Sequence, residues 1–111
     1  MAPYIYLALA ILTEVIGTSA LKFSDGFTRV LPSAITVLGY GSSFYLMSLS
    51  LKTLQVGFTY AVWSGVGMVL IASIGVIFMG EAVDIAGLVG LSLIIIGVIV
   101  VSGFSKMGGA G

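Results

Sequence analysis

Glu14 is the residue in this chain whose setting most limits its chemistry. It stands inside the run PYIYLALAILTEVIGTSAL, where nearly every neighbour is apolar. An ionised group at the centre of such a stretch costs about 2.5–3.5 kcal/mol to insert in a bilayer, so residues of this kind face a bundle interior or an aqueous cavity and act there. A carboxylate short of water is stable when it holds a proton or pairs with a cation, and the chemistry open to Glu14 is exchange of one for the other. The plainer alternative is a carboxylic acid that only makes structural hydrogen bonds, a task a glutamine does equally well. The chain has four Asp and Glu residues, no histidine and no cysteine. Disulfides and thiolate or imidazole metal sites are therefore excluded, and carboxylates alone remain for proton chemistry. No nucleophile with a base, phosphate loop or metal cluster is legible, so an enzyme and a bound cofactor are not expected.

Helical spacing sets partners beside Glu14. Leu7, Ala10, Ile11, Gly17 and Thr18 share its face, several of them small, which leaves room beside the carboxylate or simply allows close helix packing. A second stripe carries Ser33, Thr36, Tyr40, Ser43, Phe44 and Met47, and a third carries Tyr60, Trp63, Ser64 and Gly67. Trp63 is the only tryptophan and lies well inside its stretch, away from the interfacial belt where tryptophan collects. An aromatic face attracts an organic cation by about 0.5–2 kcal/mol. Tyr4, Tyr40, Phe44, Tyr60 and Trp63 around a carboxylate thus suit a bulky lipophilic cation, each ring having packing as its alternative role. Tyr6, Tyr45 and the phenylalanines at 23, 27, 58, 78 and 104 are assigned to lipid or the interface. Gly65 and Gly67 mark either a hinge or a close helix contact.

The elements that must position these groups follow from composition. With 59% hydrophobic and 7% charged residues, the chain cannot clothe a soluble core, since soluble domains are about one quarter charged. Net charge is zero and no basic face exists, which sets nucleic acid aside. Four apolar stretches, about 3–21, 30–51, 57–79 and 85–105, are each long enough to cross the hydrocarbon as a helix. They predict an all-α membrane protein of one four-helix domain over 1–111, because backbone in lipid must satisfy its own hydrogen bonds and no period-two alternation suggests a barrel. Asp25-Gly26 reads as a turn, Gly80 as the end of the third helix and Asp84 as the cap of the fourth.

Lys22 and Arg29 then fall on one side of the membrane and Lys52 and Lys106 on the other, so the positive-inside bias is nearly absent and insertion both ways round is expected. On the fourth stretch Gly87, Gly90, Ile94 and Gly97 form a seam that lets another backbone approach closely. Gly90, Ile94 and Gly97 are accordingly expected at a dimer interface, since one small chain hardly encloses a drug-sized cavity.

Taken together, PYIYLALAILTEVIGT, LKFSDGFTR, TYAVWSGVG and the glycine spacing of the fourth stretch resemble the small multidrug resistance family over most of the chain. The resemblance implies an antiparallel, dual-topology homodimer in the bacterial inner membrane. It further implies export of lipophilic and quaternary ammonium cations in exchange for protons by alternating access, driven by the proton gradient without a cofactor. On that likeness Glu14 is the shared proton and substrate ligand, Trp63 and Tyr60 contact substrate, and Tyr40 is a gating or binding ring. Tyr4, Ala10, Ser43 and Phe44 line the site, and Thr18 joins them from the face of Glu14. Ala10, Gly17-Thr18 and Tyr40 look like the quaternary-ammonium subtype. A guanidinium exporter is the alternative within the family, and a proteolipid or scaffold subunit the alternative outside it.

Overall fold

Hydrocarbon offers no hydrogen-bond partner, so apolar runs of this length close their backbone bonds within helices. The computed structural model describes residues 2–107, and residues 1 and 108–111 of the expected domain lie outside the described residues. Its helices are α1 (Ala2–Phe23), α2 (Val30–Ser50), α3 (Val56–Phe78) and α4 (Ile85–Gly103). All four are long and apolar enough to cross a membrane. Compared with the hydropathy boundaries, α1 runs two residues further into Lys22 and Phe23, and α4 stops two residues earlier, at Gly103. Pro3 and Pro32 sit in first turns, where an amide has no intrahelical partner to lose.

The chain divides into two compact units, Met1–Thr53 and Leu54–Gly111. In the first, α1 packs along α2, with Leu7, Ala10, Ile11 and Val15 buried from α1 and Thr36 and Ser43 from α2. The contact is backbone on backbone at one point. A Cβ placed on Gly39 would lie 2.8 Å from the Thr13 carbonyl oxygen and 2.9 Å from Gly17 Cα. Two glycines on facing helices therefore set how closely the axes approach. The stripe on α2 that the sequence suggests as a cavity wall is in part this packing face, since the Thr36 and Ser43 hydroxyls are spent on carbonyls of Pro32 (2.9 Å) and Ala10 (2.7 Å). The α1–α2 turn runs through left-handed backbone at Asp25, Gly26 and Phe27. It is held by buried Ser24, whose hydroxyl accepts from the Phe27 amide and whose carbonyl accepts from the Thr28 and Arg29 amides.

In the second unit α3 packs on α4. Gly80, at φ +69°, ends α3 as expected, and the Gly75 carbonyl accepts from the amides of Met79 (3.1 Å) and Glu81 (3.0 Å). Asp84 caps α4 by accepting from the Gly87 amide at 2.7 Å. Phe58 departs from the sequence expectation. It is 3% exposed rather than lipid-facing, and it lies in the first turn of α3, where Thr59 beside it is buried as well.

Candidate functional site

Glu14 lies on α1, partly buried, one helical turn before Thr18. That spacing places the two side chains on one face, and the Thr18 hydroxyl donates to Glu14 Oε1 at 2.7 Å. Thr18 Oγ1 is also 2.7 Å from the hydroxyl of Tyr40 on α2. A hydroxyl has one proton to give and two lone pairs to receive with. Since Thr18 gives its proton to Glu14, Tyr40 must donate to Thr18, and the three groups form a chain directed at the carboxylate.

Gly17 is what lets Tyr40 reach. A Cβ there would lie 3.0 Å from Tyr40 Cδ1 and 3.2 Å from Cε1, so the phenol ring lies directly over the bare backbone of α1. The ring also stacks with Phe44, one turn further along α2, at 6.3 Å between centroids. Phe44 itself is 59% exposed, whereas Ala10 and Ser43 are fully buried and bonded to each other across the helix contact. Tyr4, near the start of α1, is exposed. Of the predicted site residues in the first unit, Glu14, Thr18, Tyr40 and Phe44 thus form one continuous group, and Ala10 with Ser43 anchors the helices that carry it.

In the second unit Tyr60 and Trp63 meet at 5.5 Å between ring centroids with their planes tilted by 44°. The Ser64 hydroxyl donates to the Tyr60 carbonyl, fixing its own rotamer along α3. Trp63 Nε1 is buried without a hydrogen-bond partner, as is Thr59 Oγ1 one turn before it. Gly65 lies under α4, where an added Cβ would meet Val98 Cγ2 at 2.5 Å and Ile94 Cγ2 at 3.5 Å, and α3 runs through Gly65 and Gly67 as one helix. Ile94 therefore touches α3, while Gly90 and Gly97 have open space beside them. Two grooves lie along this helix pair, of about 270 and 300 Å³, and no charged residue lines either.

Sequence reasoning missed Gly39. A glycine in a helix interior costs about 1 kcal/mol relative to alanine. Its presence in α2 was the available signal that another backbone comes close.

A carboxylate kept within a membrane-length helix and bonded by a hydroxyl, in a chain with three further apolar helices of membrane length, defines a small multi-pass membrane protein with an ionisable intramembrane group. The sequence profile described as Small Multidrug Resistance protein matches residues 2–94. Over 107 residues the chain is 50% identical to the quaternary ammonium compound-resistance protein QacF of Klebsiella aerogenes, covering 96% of this chain and 97% of that one. It is 49% identical to quaternary ammonium compound-resistance protein QacE of Escherichia coli and 46% identical to the multidrug transporter EmrE of Escherichia coli (strain K12), each over 96% of both chains. The chain belongs to the small multidrug resistance family and is a multi-pass protein of the bacterial inner membrane.

Proposed function

We propose that this protein is a proton-coupled antiporter that exports lipophilic and quaternary ammonium cations, with Glu14 binding proton and substrate in turn. The observation that carries this reading is the Glu14 carboxylate inside a 22-residue apolar helix with a hydroxyl donated to it at 2.7 Å. Bonds from neutral donors stabilise a carboxylate without neutralising it. The remaining charge attracts a cation or a proton, and either one weakens attraction for the other. That competition is the coupling. An organic cation brings its positive charge and a greasy surface, and the stacked rings of Tyr40 and Phe44, joined to the carboxylate through Thr18, supply π faces for it. The buried, unpaired indole N–H of Trp63 supports a role that is completed by ligand or partner, since an orphaned donor costs about 1–3 kcal/mol until an acceptor arrives. The quaternary ammonium resistance named in the relatives supports this substrate class over guanidinium.

The working unit in this proposal is an antiparallel homodimer that uses alternating access. The equal division of Lys22 and Arg29 against Lys52 and Lys106 favours insertion in both orientations. Gly90 and Gly97, open along α4, allow a second copy to approach closely. No cofactor enters the scheme, because the proton gradient supplies the work.

Proteoliposomes with an imposed pH gradient test the proposal. Wild-type protein should move a tetraalkylammonium or aromatic cation against its own gradient and carry protons the other way. Glu14→Gln should abolish both fluxes, and retained proton-driven transport in that variant would refute the assignment.

A further inference from the structure

We infer that Thr18 is a positioning residue that relays the ionisation state of Glu14 to Tyr40. The inference deepens the proposed function and rests on Glu14 exchanging its proton. In the geometry described, Tyr40 O–H donates to Thr18, and Thr18 O–H donates to the ionised carboxylate, each across 2.7 Å. When Glu14 takes a proton from hydronium, the carboxyl becomes a donor. Its O–H then points at Thr18 Oγ1, the Thr18 O–H turns to Tyr40, and the Tyr40 oxygen becomes an acceptor. Only two O–H groups rotate; the one covalent exchange is an O–H of hydronium breaking as the Glu14 O–H forms, which leaves water. Tyr40 thus offers a free lone pair in one state and a free O–H in the other.

The surroundings make this the available response. Tyr40 cannot easily swing away, since its ring is seated on Gly17 and stacked with Phe44. Reversal of the hydroxyls costs less than displacing the ring. No competing charge comes from α2, the helix packed on α1. Its 21 residues include no Asp, Glu, Lys or Arg, and its titratable groups are Tyr40 and Tyr45. On α1 itself the other titratable groups are Tyr4 and Tyr6, well over a turn earlier, and Lys22, two turns later.

The hydroxyl of Tyr40 is linked through Thr18 to the carboxylate that a cation would neutralise, so the switch changes what the site presents beside its charge. A tyrosine C–O stretching band shifts according to whether the hydroxyl donates or accepts, and it reads this directly in full-length protein in nanodiscs with isotope-labelled tyrosine. The chain has five tyrosines, and a Tyr40→Phe difference spectrum assigns the band.

In wild type the Tyr40 band should move with the titration of Glu14. In Thr18→Val, which keeps shape and loses the hydroxyl, and in Glu14→Gln, the band should stop following pH, while Thr18→Ser should restore it. Thr18→Val should also weaken cation binding about tenfold, the scale of one lost bond to a charged group. A Tyr40 band that is insensitive to pH in wild type, or that still follows pH in Thr18→Val, overturns the relay and leaves the antiporter proposal standing. Should Thr18→Val fail to fold, Thr18→Ala removes the same hydroxyl without the added methyl, and a Tyr40 band that still follows pH in it overturns the relay. Transport surviving Glu14→Gln instead defeats the antiporter reading itself.

Discussion

Gly39 carries no catalytic group, yet its missing side chain decides whether Tyr40 and Glu14 share a face. The atoms that an added methyl would meet are the Thr13 carbonyl at 2.8 Å and the Gly17 backbone at 2.9 and 3.0 Å, none of them the movable end of a side chain. Overpacking of this kind costs about 1–3 kcal/mol, against a gain of about 1 kcal/mol from the helix propensity of alanine. Gly39→Ala should therefore lower the unfolding midpoint in detergent and reduce cation affinity together. Gly41→Ala, where nothing lies within 4 Å, should leave both unchanged or raise stability slightly. Equal effects of the two substitutions on unfolding would show that the helix contact does not control the site. At this scale the sequence was partly legible. A spacing of four puts Thr18 beside Glu14, but the bond from Tyr40 depends on the register of α2 against α1, which no periodicity within one helix specifies. Ser43 and Ala10 likewise read as lining, whereas the structure spends them on each other.

Single helices were the most legible level, because a membrane imposes one length and one hydrogen-bonding pattern on each apolar run. Turn chemistry was equally plain at Gly80 and Asp84, where a left-handed residue and a side-chain cap occupy the places their residue types favour. What hydropathy could not give was the face each helix turns to its neighbour. α3 and α4 are apolar all round, so the burial of Phe58 and the pairing of Gly65 with Val98 leave no mark in the pattern. The glycines of this pair consequently divide into two kinds. Gly65→Ala should destabilise the helix pair, because β-branched Val98 has little freedom to turn aside. Val98→Ala in the same chain should recover most of the loss in a double-mutant cycle. Gly97→Ala meets nothing within its own chain, so it should spare unfolding and weaken self-association, read as energy transfer between labelled copies. An unfolding defect in Gly97→Ala with association intact would remove α4 as the dimer arm.

For the molecule as a whole, charge balance carries the argument about orientation. In the proposed antiparallel pair, two basic residues on each side would leave neither end of the chain favoured toward the cytoplasm. Lys52→Ser should tip that balance. An impermeant thiol reagent acting on a single cysteine introduced into this cysteine-free chain should label about half the wild-type copies from outside and, in the variant, nearly all or nearly none. Resistance conferred by Lys52→Ser alone should fall, and coexpression with a Lys22→Ser, Arg29→Ser form should restore it. Undiminished activity in a uniformly oriented population would count against an antiparallel pair. Assembly of this sort is legible only as a balance of charges, because one chain's pattern does not contain its partner's position.

Where Gly17 meets Gly39 there is no cushion of side chains along which one backbone could slide past the other. In the proposed antiport cycle the first two helices would accordingly travel as a single leaf, carrying acid and phenol together. On that proposal, the seam that parts for a cation would be sought along lines that leave that leaf whole.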